Sequence, residues 1–230
     1  NPMNKFDLVL DPEAMPVRIN GLPELCYSER LNATAAIFAE AAENQWLDRI
    51  AYYCRGESWT YDALISGTRR IAAALQSVGV GPGERVVLRM VDSPHLVMAL
   101  LAVKGLGAIA VPAFVQLRAD EICYRVRDSE SRFIIVETDL LDEAAKAYDA
   151  GCGLEHVVVA PVDPTGRFSS LDALAAAAPF DQWADTSRDD VCLITYTSGT
   201  TGRPKGGAHC HGDLMAAGDT FARYMMLTHE

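Results

Sequence analysis

Short apolar runs alternate with longer, helix-patterned segments along the middle of the chain. The runs lie at 86–88, 108–111, 133–136 and 156–159. The segments between them place apolar residues at helical spacing, and the first has Pro94 at its predicted first turn, a position that favours proline. Apolar strands separated by helices of this length are typical of right-handed βαβ units. We therefore predict an α/β fold with a mostly parallel, doubly wound sheet and flanking helices.

The segments before this region predict smaller elements. Residues 1–30 carry prolines at four positions and little periodicity, which indicates an extended segment lying over the domain. Asn32 or Thr34 is suited to cap a helix. A hairpin is expected over 49–60, and Thr60 is placed to cap the helix that follows it.

The last third of the chain is predicted to carry a connector, a strand and a loop. The connector at 161–190 contains one alanine-rich helix over 171–178, and the apolar run at 191–194 reads as a buried strand. We expect a loop at 195–207, a returning strand at 207–210 and a helix from His211 or Gly212. Its apolar residues, including Met225 and Met226, are predicted to pack in the core.

Composition restricts the classes of partner and compartment. The 230 residues have a formal net charge of -11, which argues against nucleic acid or anionic lipid as the main partner. Six cysteines without a C-x-x-C pair indicate a reducing, cytoplasmic setting. No apolar run reaches the ~18–20 residues of a membrane span. We predict no metal at His209-Cys210-His211, since adjacent residues of a strand point to opposite faces.

The loop at 195–207 has a composition that a structural turn does not need. Glycines let a backbone approach a ligand with inward N–H groups, hydroxyls add donors, and a lysine adds a mobile positive charge. These features favour a polyphosphate. The candidate phosphate-binding residues are Thr197, Ser198, Gly199, Thr200, Thr201, Gly202 and Lys205.

Two other interpretations explain the loop less well. A flexible Gly/Ser/Thr linker is seldom entered directly from an apolar strand. A Walker loop requires G-x-x-x-x-G-K-[ST] at the start of a helix. Here Lys205 follows Gly202 by three residues, Gly206 replaces the Ser/Thr, and Pro204 disfavours a helix running through the loop. The Walker interpretation therefore fails.

The run at 196–206, YTSGTTGRPKG, closely resembles the phosphate-loop signature of the AMP-forming adenylating enzymes. That superfamily includes acyl- and aryl-CoA synthetases, peptide-synthetase adenylation domains and firefly-type luciferases. The runs at 46–51, 56–61 and 209–214 look most like benzoate-type and 2-aminobenzoate-type CoA ligases. In the last run, His211 and Asp213 are also explained as residues that end a strand and cap a helix, and we assign them no catalytic part.

The resemblance implies a function and its substrates. It implies that a carboxylic acid attacks the α-phosphate of Mg-ATP, giving an acyl-adenylate and pyrophosphate, and that coenzyme A then displaces AMP. Lys205 would be the catalytic residue, and the loop residues would hold the β- and γ-phosphates, with ATP, Mg²⁺ and coenzyme A as cofactors. An aromatic acid is the first choice and a fatty or other carboxylic acid the second. An ionised acid needs no general base.

The same resemblance implies that residues 31–230 form a truncated N-terminal adenylation domain. Members of the superfamily continue with the acid pocket, the adenine contacts, a hinge and a small domain carrying a further catalytic lysine. We therefore expect this chain alone to be inactive. Two alternatives stay open, a non-catalytic ATP-binding module and the adenylation unit of a carrier-protein-dependent assembly line. The sequence also leaves open whether the chain forms a homo-oligomer.

Overall fold

The fold is taken from a computed structural model, which describes residues 25–177, 180–197 and 202–226. Its helices and strands alternate along most of this length. The helices are α1 (Ala33–Glu43), α2 (Tyr61–Ser77), α3 (Pro94–Gly105), α4 (Ala119–Asp128), α5 (Leu141–Asp149), α6 (Leu171–Ala177) and α7 (His211–Tyr224). The strands are β1 (Ile50–Cys54), β2 (Glu57–Thr60), β3 (Arg85–Arg89), β4 (Ile109–Pro112), β5 (Phe133–Glu137), β6 (His156–Ala160), β7 (Ser169–Ser170), β8 (Val191–Thr197) and β9 (Lys205–Cys210).

A seven-stranded sheet organises the domain. Its strand order is β7-β6-β5-β3-β4-β8-β9, and every neighbouring pair is parallel except β8 and β9. Strands β1 and β2 form a separate antiparallel hairpin. The predicted α/β fold with a mostly parallel sheet is confirmed.

Helices cover both faces of the sheet, as a doubly wound arrangement requires. Side chains of α1, α2, α3 and α6 pack on one face, and those of α4 and α5 pack on the other. Because successive residues of a strand point to opposite faces, Val86 and Leu88 of β3 join the first cluster while Val87 joins the second. The continuous apolar pattern of the strands reflects this burial on two sides.

Local capping explains where the first three helices begin. The side chains of Asn32, Thr60 and Ser93 each accept a hydrogen bond from the backbone N–H three residues later, at 3.2–3.3 Å. Such a bond satisfies one of the donors that the first turn of a helix leaves unpaired. Pro94 occupies the first turn of α3, as predicted.

The strand order creates a switch point between β3 and β5. From β3 the chain passes through α3 to β4 on one side, and it then returns to place β5 on the other side of β3. The helices that follow β3 and β5 therefore cover opposite faces, and a crevice opens at the carboxyl ends of these two strands. Open α/β sheets commonly bind ligands in such a crevice.

Three predictions about the last third need correction. Strand β8 continues to Thr197, so Thr195, Tyr196 and Thr197 lie in the strand and not in the loop. The returning strand begins at Lys205, two residues earlier than predicted. The expected core packing of the two methionines is wrong, since Met225 is 52% exposed and Met226 is 86% exposed.

One strand was not predicted from the pattern, and one predicted segment lies partly outside the described residues. The two-residue strand β7 extends one edge of the sheet. Most of the predicted N-terminal segment lies outside the described residues, and Arg30 in its last part bridges to Ser187. No helix within the described ranges is both long and apolar enough to cross a membrane.

Candidate functional site

The candidate phosphate-binding residues belong to the hairpin formed by β8 and β9. Thr197, at the end of β8, pairs with Lys205, at the start of β9, and both are exposed. The structure therefore brings these two predicted residues together at the neck of the connecting loop. The predicted residues Ser198, Gly199, Thr200 and Thr201 lie outside the described part of the chain.

The described end of the loop has a backbone that requires glycine. Gly202 has a φ of +154°, which L side chains rarely adopt, while the position of a Cβ there would be open space. The backbone conformation and not crowding therefore selects glycine. Pro204, two residues on, leads directly into β9.

Helix α4 holds the second arm of the hairpin. The Tyr124 hydroxyl donates a hydrogen bond of 2.8 Å to the carbonyl oxygen of Pro204, and the guanidinium of Arg203 lies 5.5 Å from the Tyr124 ring centre. On the first arm, the Tyr196 hydroxyl donates to a carboxylate oxygen of Asp128 at 2.6 Å. The two tyrosine rings meet edge to face, with their centres 6.3 Å apart. Both ends of the loop are thus fixed to one helix.

Sequence reasoning missed this support because the contacts join distant parts of the chain. Tyr124 and Pro204 are 80 residues apart, and nothing in the helical pattern of α4 marks Tyr124 as different from other surface residues.

Burial and the neighbouring carboxylate of Asp128 both raise the pKa of Tyr196 above its ordinary value. The phenol therefore remains a neutral donor at physiological pH.

We expect Tyr124→Phe to raise the dissociation constant for pyrophosphate about 2- to 10-fold, because the loop loses one hydrogen bond worth about 0.5–1.5 kcal/mol. The ring contacts with Arg203 and Tyr196 remain in this variant. Calorimetric titration of the 230-residue chain with pyrophosphate provides the measurement. Tyr53→Phe is the matched control, since the side chain of Tyr53 is largely exposed on β1. Equal affinities of wild type and Tyr124→Phe would contradict the supporting role.

A mostly apolar groove of about 350 Å³ adjoins the first arm of the hairpin. Thr195 and Tyr196 form one side, and the rest is formed by Leu96 of α3 and by residues at and after the carboxyl ends of β3 and β4, including Met90 and Phe114. The groove therefore opens at the same edge of the sheet as the end of β8.

The histidines after the loop have structural contacts. Nε2 of His209 lies 3.1 Å from Oγ1 of Thr195 across the hairpin. The buried Nδ1 of His211 accepts a 3.1 Å hydrogen bond from the N–H of Ala33. Asp213 accepts a 2.9 Å bond from the N–H of Cys210 and so caps α7. These contacts agree with the non-catalytic roles assigned to His211 and Asp213 from the sequence.

The pKa of His211 is lowered from 6.5 to about 4, mainly by burial; the charge of Asp190 opposes this shift and that of Lys104 adds to it. Between these two values the unfolded chain binds more protons than the folded chain. Folding stability should therefore fall as the pH drops from 6.5 towards 4, by up to about 3 kcal/mol from this group.

Denaturant unfolding across this pH range, with wild type and His211→Asn, tests the expectation. The carboxylates of the protein titrate in both chains. The difference between the two slopes of unfolding free energy against pH therefore reports the contribution of His211. A smaller slope in the variant is expected, whatever its stability at pH 7. Identical slopes would contradict the neutral, buried state of His211.

A metal site is not formed by clustered side chains in the described ranges. No group of three His, Cys, Asp or Glu residues is positioned there to hold a metal ion. This includes the region around His209, Cys210 and His211.

Comparisons with known proteins agree with the sheet and the hairpin. The family model for the AMP-binding enzyme matches residues 38–229. A 3-hydroxybenzoate–CoA/4-hydroxybenzoate–CoA ligase of Thauera aromatica is 34% identical over 194 residues, which is 82% of this chain and 36% of the ligase. A benzoate–CoA ligase of the same organism is 31% identical, over 89% of this chain and 38% of the ligase.

A solved structure gives the same result for the fold. The anthranilate CoA ligase AuaEII in complex with anthranoyl-AMP superposes with a TM-score of 0.75 and 29% identity, over 81% of this chain and 36% of that chain. The chain thus spans little more than a third of the length of these relatives. With a family model matched over most of its length and the hairpin in place, the chain belongs to the AMP-binding enzyme family.

Proposed function

We propose that the chain is part of a longer ligase, here called the complete ligase, that converts an aromatic acid to its CoA thioester through an acyl-adenylate. The observation that carries the proposal is the β8–β9 hairpin, whose sequence matches the family signature and whose neck pairs Thr197 with Lys205. The choice of an aromatic acid is supported by relatives named for hydroxybenzoate, benzoate and anthranilate.

The proposed reaction has two steps. A carboxylate oxygen of the acid attacks the α-phosphorus of ATP, and the bond to the departing pyrophosphate breaks. The sulfur of coenzyme A then attacks the acyl carbon, and AMP leaves with the oxygen that formed the mixed anhydride. The first step moves negative charge onto the pyrophosphate, so fixed donors and positive charge at the β- and γ-phosphates stabilise its transition state.

The loop residues are proposed to provide this stabilisation. Lys205 would neutralise charge on the departing pyrophosphate, and its exposed position at the neck leaves its ammonium group accessible to a ligand. Backbone N–H groups and hydroxyls of the loop would add donors. The proposed phosphate-binding set is Thr197, Ser198, Gly199, Thr200, Thr201, Gly202 and Lys205.

Mg²⁺ is proposed to enter with ATP. Mg²⁺ usually retains several waters and is bound through substrate phosphates with one or two carboxylates, so it needs no dedicated cage of side chains. The lack of a three-ligand cluster in the described ranges is compatible with that mode. The hairpin residues would position the phosphates to which the ion is bound.

We further propose that the 230-residue chain contributes one wall of the active site and is inactive by itself. It spans 36% of the hydroxybenzoate ligase it resembles. The acid pocket, the adenine contacts and a further catalytic lysine would come from the remainder of the complete ligase. Detectable thioester formation by the isolated chain would contradict this part of the proposal.

A cytoplasmic location is also proposed, and it rests only on the six cysteines, which form no C-x-x-C pair.

ATP–pyrophosphate exchange by the complete ligase, measured with a panel of acids, tests the function. We expect exchange with benzoate, 2-aminobenzoate or a hydroxybenzoate to exceed that with fatty acids at least tenfold. Absence of exchange with every acid would contradict the ligase function and favour an ATP-binding module. Transfer of the acyl group to a phosphopantetheine carrier, with none to coenzyme A, would favour the assembly-line alternative.

A further inference from the structure

A second cavity, of about 460 Å³, opens at the switch point of the sheet. The residues after β3, the start of α3 and the end of β5 line it, together with the beginning of α6. None of its lining residues belongs to the β8–β9 hairpin. Its volume falls in the range of small-molecule sites, roughly 300–1,000 Å³. Its location is the crevice where open α/β sheets commonly hold ligands.

The floor of this cavity is apolar, and its rim carries basic side chains together with the carboxyl groups of Glu137, Asp139 and Asp172. Met90, Ala160 and Leu171 are buried lining residues, whereas the exposed side chains of Arg55, Arg70 and His95 also line it. Apolar lining with a few charged groups suits a ligand with an apolar body and a charged end.

Two of the basic side chains have known neighbours within the chain. Arg70 lies 3.7 Å from Asp172, but both side chains are more than half exposed, and such pairs are weak. The His95 ring meets the Trp59 ring edge to face, with centres 5.4 Å apart. Trp59 thus restricts the orientation of His95.

Arg55 has an unfavourable backbone conformation and no partner that explains it. It lies at the tip of the β1–β2 hairpin with a φ of +50°, followed by Gly56 at +86°. Turns of this type prefer Asn-Gly or Asp-Gly, since other residues are disfavoured at positive φ. Within the described residues, the Arg55 guanidinium makes no hydrogen bond and no ion pair. Strained residues persist mainly where they serve a function.

The carboxyl group of Glu137 lines the same cavity as Arg55 and His95. It lies at the end of β5, and burial raises its pKa, while the Val91 backbone, His95 and Arg55 act in the opposite direction and Asp139 adds to the increase. His95 and Arg55 are therefore close enough to influence the same carboxyl group. The cavity holds a half-buried acceptor as well as the guanidinium of Arg55 and the imidazole of His95.

We propose that the switch-point cavity binds a small organic anion, with its carboxylate or phosphate at Arg55 and His95 and a ring-sized apolar body over Met90 and Leu171. This site is separate from the phosphate-binding hairpin, and the proposal is independent of the function assigned to that hairpin.

Calorimetric titration of the 230-residue chain with phenyl phosphate, benzoate and inorganic phosphate tests the proposal. We expect phenyl phosphate or benzoate to bind saturably and at least tenfold more tightly than inorganic phosphate, because only these two carry an apolar body. The preferred probe identifies the oxyanion. Failure of both organic probes to saturate, or equal affinity for inorganic phosphate, would overturn the proposal.

Three variants locate the binding. Arg55→Gly removes the guanidinium and suits positive φ, so we expect unchanged or higher stability and at least tenfold weaker binding. Gln45→Gly is the matched control, since Gln45 also has a positive φ of 58° but does not line the cavity. Lys205→Ala should leave this binding unchanged, which distinguishes it from the hairpin. Undiminished binding by Arg55→Gly, or equal losses in Gln45→Gly, would overturn the proposal.

Discussion

Lys205→Ala should lower the rate of ATP–pyrophosphate exchange by the complete ligase by about two to three orders of magnitude, while its folding stability stays unchanged. Removing one preorganised group that stabilises developing charge typically has an effect of this size. Lys205 is exposed at the first position of β9, opposite Thr197. Truncation at such a position removes little packing, so the loss should be confined to catalysis.

A matched lysine separates the local effect from the loss of one positive charge. Lys146 is exposed on α5 and its ammonium lies 2.6 Å from a carboxylate oxygen of Glu143, away from the hairpin. The complete ligase carrying Lys146→Ala should catalyse ATP–pyrophosphate exchange at the wild-type rate. An exchange rate of Lys205→Ala within about twofold of wild type would refute the assignment of Lys205 as the main positive charge at the phosphates.

The second large effect concerns stability and the buried guanidinium of Arg89. This side chain is 3% exposed at the end of β3. It donates hydrogen bonds to the carbonyl oxygens of Leu140 and Val115 at 2.7 Å and of Leu117 at 3.0 Å. These carbonyls belong to the segments that follow β4 and β5, so one side chain connects the chain segments at the carboxyl edge of the sheet.

We expect Arg89→Met to lower the free energy of unfolding by about 3 kcal/mol or more. Methionine fills part of the volume but supplies no donor, and each carbonyl left unsatisfied in the interior costs about 1–3 kcal/mol. Denaturant unfolding of the 230-residue chain measures the change. Arg69→Met on the exposed side of α2 is the control and should change stability by less than about 0.5 kcal/mol. A comparable change in both variants would show that the three carbonyls find other donors.

The elements of the fold were largely predictable because their causes are local. Apolar runs and helical spacing indicated the strands and helices of the parallel region. The cap Thr60 acts on an N–H group only three residues away, so the residue type and its position sufficed to locate the start of α2. Strand order could not be predicted in the same way, since it depends on packing between segments far apart in the chain.

The errors near the hairpin have physical causes. Thr195, Tyr196 and Thr197 combine hydroxyl groups with high strand propensity, and pairing with β9 favours the strand. Their hydroxyl groups were the reason that these three residues were predicted to lie in the loop. Met225 and Met226 follow the last turn of α7, where helical spacing no longer determines which side is buried. Apolar character alone did not place them in the core.

The candidate site was predictable only in part. The phosphate-loop signature is continuous in sequence, so Thr197, Gly202 and Lys205 could be named as candidates from residue order alone, and their phosphate-binding role stays a prediction. Their support by Tyr124 and Asp128 depends on how α4 packs beside the hairpin. The switch-point cavity depends on strand order, and Arg55 and Glu137 both line it although several elements separate them in the chain.

Isotope transfer tests the central claim, adenylation of a carboxylic acid, most directly. The complete ligase is incubated with ATP, coenzyme A and benzoate, or the best acid of the panel, labelled with oxygen-18 in the carboxylate. Attack of a carboxylate oxygen on the α-phosphate predicts AMP with one labelled oxygen and pyrophosphate without label. Unlabelled AMP, or label in pyrophosphate or inorganic phosphate, would contradict the proposed reaction.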